Sequence, residues 1–167
     1  MNLKFYIVSN GFISQLKEVD DKVRDNKTSR PYVGVVIEVE GFKYLSPLTS
    51  YKPKHDELKD SNPLIFKMHE VGDESVKLGM LQLNNMIPVL DSEITLLDLE
   101  SQSPKYKGLL EKQQKFLRKN QDAITEKAED LRNKVIAAKQ AGRSNFLVNM
   151  SCDFEALEKA VKDISNS

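Results

Sequence analysis

Apolar and polar positions alternate over LKFYIVS (3–9), a strand pattern that stops at the turn pair Asn10-Gly11. Beyond it Phe12, Leu16, Val19 and Val23 fall at helical spacing and predict a short amphipathic helix. The polar DNKTSRP (25–31) closes on Pro31 and reads as a loop. Two strands follow, YVGVVIEV (32–39) and FKYLSPL (42–48), joined by Glu40-Gly41 as a hairpin. The unbroken apolar run of the first implies burial on both of its faces. PLIFKMHEV (63–71) and KLGMLQLNNMIPVL (77–90) predict two further strands around the turn GDES, and SEITLLDL (92–99) a last strand or an irregular edge.

From Pro104 the period changes. Tyr106, Leu109, Leu110, Phe116 and Leu117 share one helical face, with charged residues on the other. NQD (120–122) predicts a break, with Asn120 capping a second helix through Ile124, Ala128, Leu131, Val135 and Ala138. Gly142 is its natural stop. DFEALEKAVKDI (153–164) predicts a last helix. Strands first and helices afterwards make this an α+β chain, a mostly antiparallel sheet elaborated by amphipathic helices mainly in the C-terminal half.

A length of 167 residues suits one domain, 1–167. Its longest purely apolar run, VGVVI (33–37), is far too short to cross a bilayer, and the N-terminus lacks the apolar core of a signal peptide. One cysteine, Cys152, excludes an internal disulfide, and two scattered histidines give no zinc-like cluster. The expected compartment is a reducing cytoplasm.

Twenty-five basic residues balance twenty-five acidic ones, and the total gives no field for nucleic acid. The local distribution is uneven. Residues 91–100 carry four acids and no base, whereas residues 101–120 carry six bases against Glu111 alone. A helix so charged can track a phosphate backbone; read alone, such runs more often belong to a solvated face.

A different chemistry sits in TSYKPKH (49–55). Adjacent hydroxyls on Thr49 and Ser50 can donate to phosphate oxygens, and an ammonium such as Lys52 can stabilise charge developing at phosphorus. The plain alternative is a turn whose hydroxyls bond local backbone, and by spacing alone that alternative prevails. His55, beside the lysines, is the better acid–base candidate of the two histidines. No phosphate-binding glycine loop, dinucleotide fingerprint or H-E-x-x-H pair is present.

The order KFYIVS, LKEVDDKV, VGVVIEVEGFKYLSPLTS, HEVG, LGMLQLNNMIPV, LLDL, PKYKGLLEKQQKFLRKN and LRNKV resembles the ToxN/AbiQ family along nearly the whole chain. These are endoribonuclease toxins of type III toxin–antitoxin systems. The combination G-x-K-Y-L-x-P-L-T-S, followed by L-x-x-x-x-M-I-P, is its specific part. The resemblance implies a barrel-like antiparallel sheet related to the Kid/MazF toxin fold. It implies RNA cleavage without a metal or other cofactor, by attack of the 2′-hydroxyl to leave 2′,3′-cyclic phosphate and 5′-hydroxyl ends. It further implies processing of a repeat RNA antitoxin, inhibition within a closed protein–RNA assembly, and cellular and phage RNA as substrate.

By the same resemblance Thr49, Ser50 and Lys52 are catalytic, joined by Arg30 before the VGVVIEV strand, where arginine stands for lysine. His55 is a candidate proton carrier. Phe12, Tyr51, Lys54, Lys112, Lys115, Phe116, Arg118 and Lys119 become candidate RNA contacts, with Phe116 either packing inward or stacking on a base. The reading from another class is a non-catalytic RNA-binding or protein-interaction module that uses the basic helix 104–119.

Overall fold

Glu40 and Gly41 both take positive φ, 51° and 81°, the backbone of a two-residue turn whose twist matches the strands it joins. Around that hairpin the computed structural model, which describes residues 3–25 and 31–167, builds a seven-stranded antiparallel sheet. The hairpin strands are β2 (Tyr32–Val39) and β3 (Phe42–Thr49). On the β2 side lie β1 (Phe5–Val8) and, at the edge, β7 (Ile94–Leu96). On the other side β3 is met first by β6 (Ile87–Pro88) and then by β5 (Asp73–Gln82), which pairs with the edge strand β4 (Ile65–Glu70). The order is β4-β5-β3-β2-β1-β7, with β6 added on β3. The sheet does not close into a barrel.

Short α1 (Asn10–Val19) starts at Ser9, whose hydroxyl accepts the Phe12 N–H at 3.4 Å. Phe12, Ile13 and Leu16 of α1 are buried. The expected break at Asn120 does not occur: α2 runs unbroken over Pro104–Gln140, 37 residues. Asn120 turns its side chain back to the Phe116 carbonyl, 2.9 Å away, a local bond that a helix interior accommodates. The stop at Gly142 is real. Its φ is 69°, and Arg143 N–H reaches the Ala138 carbonyl at 2.8 Å while Gly142 N–H reaches Lys139 at 3.0 Å. A short helix, α3 (Phe146–Met150), was not expected; α4 (Phe154–Ser165) was.

The helices are held to the sheet by apolar packing and by buried polar contacts. Glu158 of α4 accepts from Tyr44 of β3 at 2.5 Å and from Arg132 of α2 at 2.9 and 2.7 Å. Burial of the tyrosine and its bond to Glu158 raise its pKa above the ordinary range. Cys152 is buried and its thiol is pushed up to about 12 by that burial, which makes it a packing residue. Among the described residues no helix is long and apolar enough to cross a membrane.

Candidate active site

β3 changes partners along its length, and that change creates the site. Gly34 to Val39 of β2 pair with its residues 42–47, and its last two residues, Leu48 and Thr49, pair with Leu81 and Met80 of β5. Thr49 ends the strand with its hydroxyl oxygen buried and unpartnered, while Ser50 is exposed. The two hydroxyls therefore differ: Ser50 is open to a ligand, and the Thr49 oxygen is shielded from solvent.

The chain then enters a 3-10 turn, Pro53–Glu57, which the sequence did not announce. His55 holds it. Lys52 N–H donates to His55 Nδ1 at 3.2 Å, and His55 N–H donates to the Lys52 carbonyl at 2.8 Å. Burial, then Lys54 and Lys52, lower the histidine pKa below its ordinary value. With 7% of its surface exposed and Nδ1 engaged, His55 is a clamp on the loop. A second clamp joins the loop to β5. Asp56 accepts from Tyr51 at 2.7 Å and from Lys77 at 2.8 Å, and both bonds lower its pKa. Lys52 and Lys54 stay exposed beside these clamps.

Thr49 and Ser50 line a groove of about 870 Å³ whose opposite wall is the start of α2, through Lys105, Tyr106 and Gln113. From Lys105 a basic row continues along the helix. Lys105, Lys112 and Lys119 are spaced seven residues apart, which places them on one flank, about 10 Å from one to the next. The acids upstream do not cancel this row. Glu100 pairs with Lys107 at 2.8 Å, Asp91 with Lys43 at 2.7 Å, and Glu93 accepts from Ser9. A separate cavity of about 590 Å³ between β1, β2 and the middle of α2 mixes Lys4 and Lys43 with Glu38, Glu126 and Glu129 and holds none of the loop hydroxyls.

Two adjacent hydroxyl residues thus share a groove with the start of a basic helix. A model of the toxin ToxN of type III toxin–antitoxin systems matches residues 4–162. The chain belongs to the ToxN family. It is 39% identical to endoribonuclease ToxN of Pectobacterium atrosepticum, across 96% of this chain and 93% of that protein. It is 35% identical to endoribonuclease AbiQ of Lactococcus lactis subsp. lactis, across 95% and 87%. Among solved structures, a lactococcal AbiQ described as an anti-phage endoribonuclease superposes with a TM-score of 0.89 at 28% identity, over all of both chains. A structure described as showing a processed non-coding RNA that regulates a bacterial antiviral system gives 0.80 at 38% identity, over 96% and 98%.

Within this ToxN fold the nominated residues divide. Thr49, Ser50, Tyr51, Lys52, Lys54 and His55 are gathered in one loop. Lys112, Lys115, Arg118 and Lys119 are exposed on α2, Lys112 with Glu70 at 3.4 Å. Phe12 is a correction: its ring lies in the core at 1% exposure, because α1 docks through that face, and it offers no surface to RNA. Phe116 packs inward, edge-on to His69 at 4.9 Å and Phe66 at 6.1 Å, which decides between its two readings. Arg30 lies outside the described residues. Gly79, Lys77, Lys105, Tyr106 and Gln113 were not singled out as site residues. Gly79 carried a signal as a glycine inside a strand pattern, and Lys105 as part of the basic run 101–120.

Proposed function

We propose that this ToxN-family chain acts as an endoribonuclease toxin that cuts RNA by internal transesterification. The 2′-oxygen attacks the adjacent phosphorus and forms a P–O2′ bond as the P–O5′ bond breaks. One proton leaves the 2′-hydroxyl and one is delivered to the departing 5′-oxygen, giving 2′,3′-cyclic phosphate and 5′-hydroxyl ends. Ser50 donates to a non-bridging phosphate oxygen, and the Lys52 ammonium stabilises the charge that grows on those oxygens. Thr49 supports the reactive turn, and Arg30 adds a second cation. The chain acts as one domain, in the cytoplasm.

The observation that carries this reading is the exposed Ser50 at the end of β3, in a groove walled by Lys105, with Lys52 exposed two residues further along the chain. The names of the relatives point the same way. One solved relative is described as inhibited by a non-coding RNA pseudoknot, and for this chain we infer a folded repeat RNA as the antitoxin, held in a closed protein–RNA assembly. The Lys105–Lys112–Lys119 row is its backbone contact, which suits a neutral protein whose affinity must come from a local patch. Cellular and phage RNA are the substrates.

Processing of a repeat-array transcript tests the reading. Wild-type protein should trim the transcript to unit length, and Ser50→Ala should bind it and leave it whole. An array left intact by the wild type, or trimmed equally fast by Ser50→Ala, would refute it.

A further inference from the structure

Gln113 is the only polar side chain among the buried residues of α2, a helix whose other buried positions are Leu110, Phe116, Leu117, Ile124, Ala128, Leu131, Val135 and Ala138. An apolar residue there would pack without the cost of desolvating an amide, so its partner is informative. Its Nε2 donates to the Leu78 carbonyl at 2.7 Å, and Gln113 is 5% exposed.

Leu78 is no ordinary strand residue. In the β4–β5 register Met68 faces Gly79 and His69 faces Lys77, so Leu78 is the extra residue of a bulge and faces nothing on β4. A bulge disrupts the ladder locally, and Gln113 supplies a donor to the displaced backbone. The next residue, Gly79, has φ of 104°, and a Cβ on it would lie 2.4 Å from the Thr49 carbonyl oxygen and 3.6 Å from Ser50 Cα. The bulge thus presses the β5 backbone directly against the two hydroxyl residues. Gln113 also lines the groove that Thr49 and Ser50 share.

We infer that Gln113 is a positioning residue for RNA cleavage, acting through the Leu78–Gly79 bulge to fix Thr49 and Ser50. It touches no reacting atom in this role. The inference rests on the reading of Thr49 and Ser50 as the reactive pair only where cleavage is measured; its structural part stands apart from it.

Two substitutions test it. Gln113→Leu removes the donor while keeping size and burial. Gln113→Glu keeps size but can donate to Leu78 only when its carboxyl is protonated. For full-length Gln113→Leu, hydrogen exchange should quicken about tenfold or more at residues 48–51 and 77–81, with β1 and β2 unchanged. Single-turnover cleavage of bound RNA should fall about 10²-fold, as expected for a misplaced reactive group, with Kd for uncleaved RNA within twofold. Gln113→Glu should recover towards wild-type cleavage as pH is lowered, measured relative to wild type at each pH. Unchanged exchange at both segments in folded Gln113→Leu would overturn the inference. So would a cleavage rate within twofold of wild type, or a loss explained by weaker RNA binding alone. If wild-type protein cleaves nothing, the proposed function fails, while the exchange comparison still decides whether Gln113 pins the bulge.

Discussion

Gly79 of β5 runs so close to Thr49 of β3 that a Cβ on the glycine would sit 2.4 Å from the threonine carbonyl oxygen. Two facts reinforce each other here. The φ of 104° is a conformation that L side chains rarely adopt, and the space a side chain needs is filled by backbone. Gly79→Ala must therefore both strain β5 and push away the strand end that carries Ser50. We expect a stability loss of about 1–3 kcal/mol from the backbone conformation alone, and a fall in cleavage of about 10²-fold from displacement of the loop. Denaturant unfolding with single-turnover cleavage checks both. Gly72→Ala, strained but in open space, is the control and should lose stability with little effect on cleavage.

His55 gives the account a pH signature. Burial and the nearby lysines lower its pKa in the fold below the ordinary 6.5. The unfolded chain therefore binds the proton more readily, and the contribution of His55 to stability is present above about pH 6.5 and lost as pH falls through the folded value. Protonation also places a hydrogen on Nδ1, where Lys52 N–H now donates. Order in the loop, and cleavage with it, should decline on the acid side. His55→Gln offers a non-titrating acceptor to Lys52, and its pH–rate profile should lose that decline while keeping substantial activity at pH 7–8. Abolished cleavage at pH 7–8 with the loop still ordered would instead make His55 a proton carrier.

The cationic flank of α2 predicts a salt effect. Each phosphate contact to single-stranded RNA contributes about −0.7 to the slope of log K against log salt. Lys105→Gln, Lys112→Gln and Lys119→Gln together should make the slope for antitoxin RNA shallower by about 2, or by about 1.4 if Lys112 keeps its pairing with Glu70. Arg118 lies about 120° round the helix from that row, and Arg118→Gln should change the slope less. Titrations at several salt concentrations decide this; equal effects from both flanks would contradict a single RNA track.

The hairpin and the sheet class were legible because each depends on local signals: period-two alternation and Glu40-Gly41. What stayed hidden depends on distant partners. Asn120-Gln121-Asp122 looks like a break in isolation, yet Asn120 bonds within α2 and the apolar stripe on either side holds the helix to the sheet. Phe116 reads as platform or core, and Phe12 as an RNA contact by resemblance, because an amphipathic period does not say what lies beyond the face. The bulge at Leu78 exists only as a mismatch between two strands, and Gln113 gains its meaning only through that bulge. The resemblance of the whole chain, more than the spacing T-S-x-K, raised Thr49, Ser50 and Lys52 above an ordinary turn.

The most direct test of the central claim is the chemistry of the cut ends. Purified protein is incubated with RNA in excess EDTA, and the termini are identified for the wild type and for Ser50→Ala. The account predicts 2′,3′-cyclic phosphate and 5′-hydroxyl ends from the wild type, with the products lost in Ser50→Ala although RNA is still bound. RNA that the wild type binds but never cuts would contradict it and leave a non-catalytic RNA-binding module in its place.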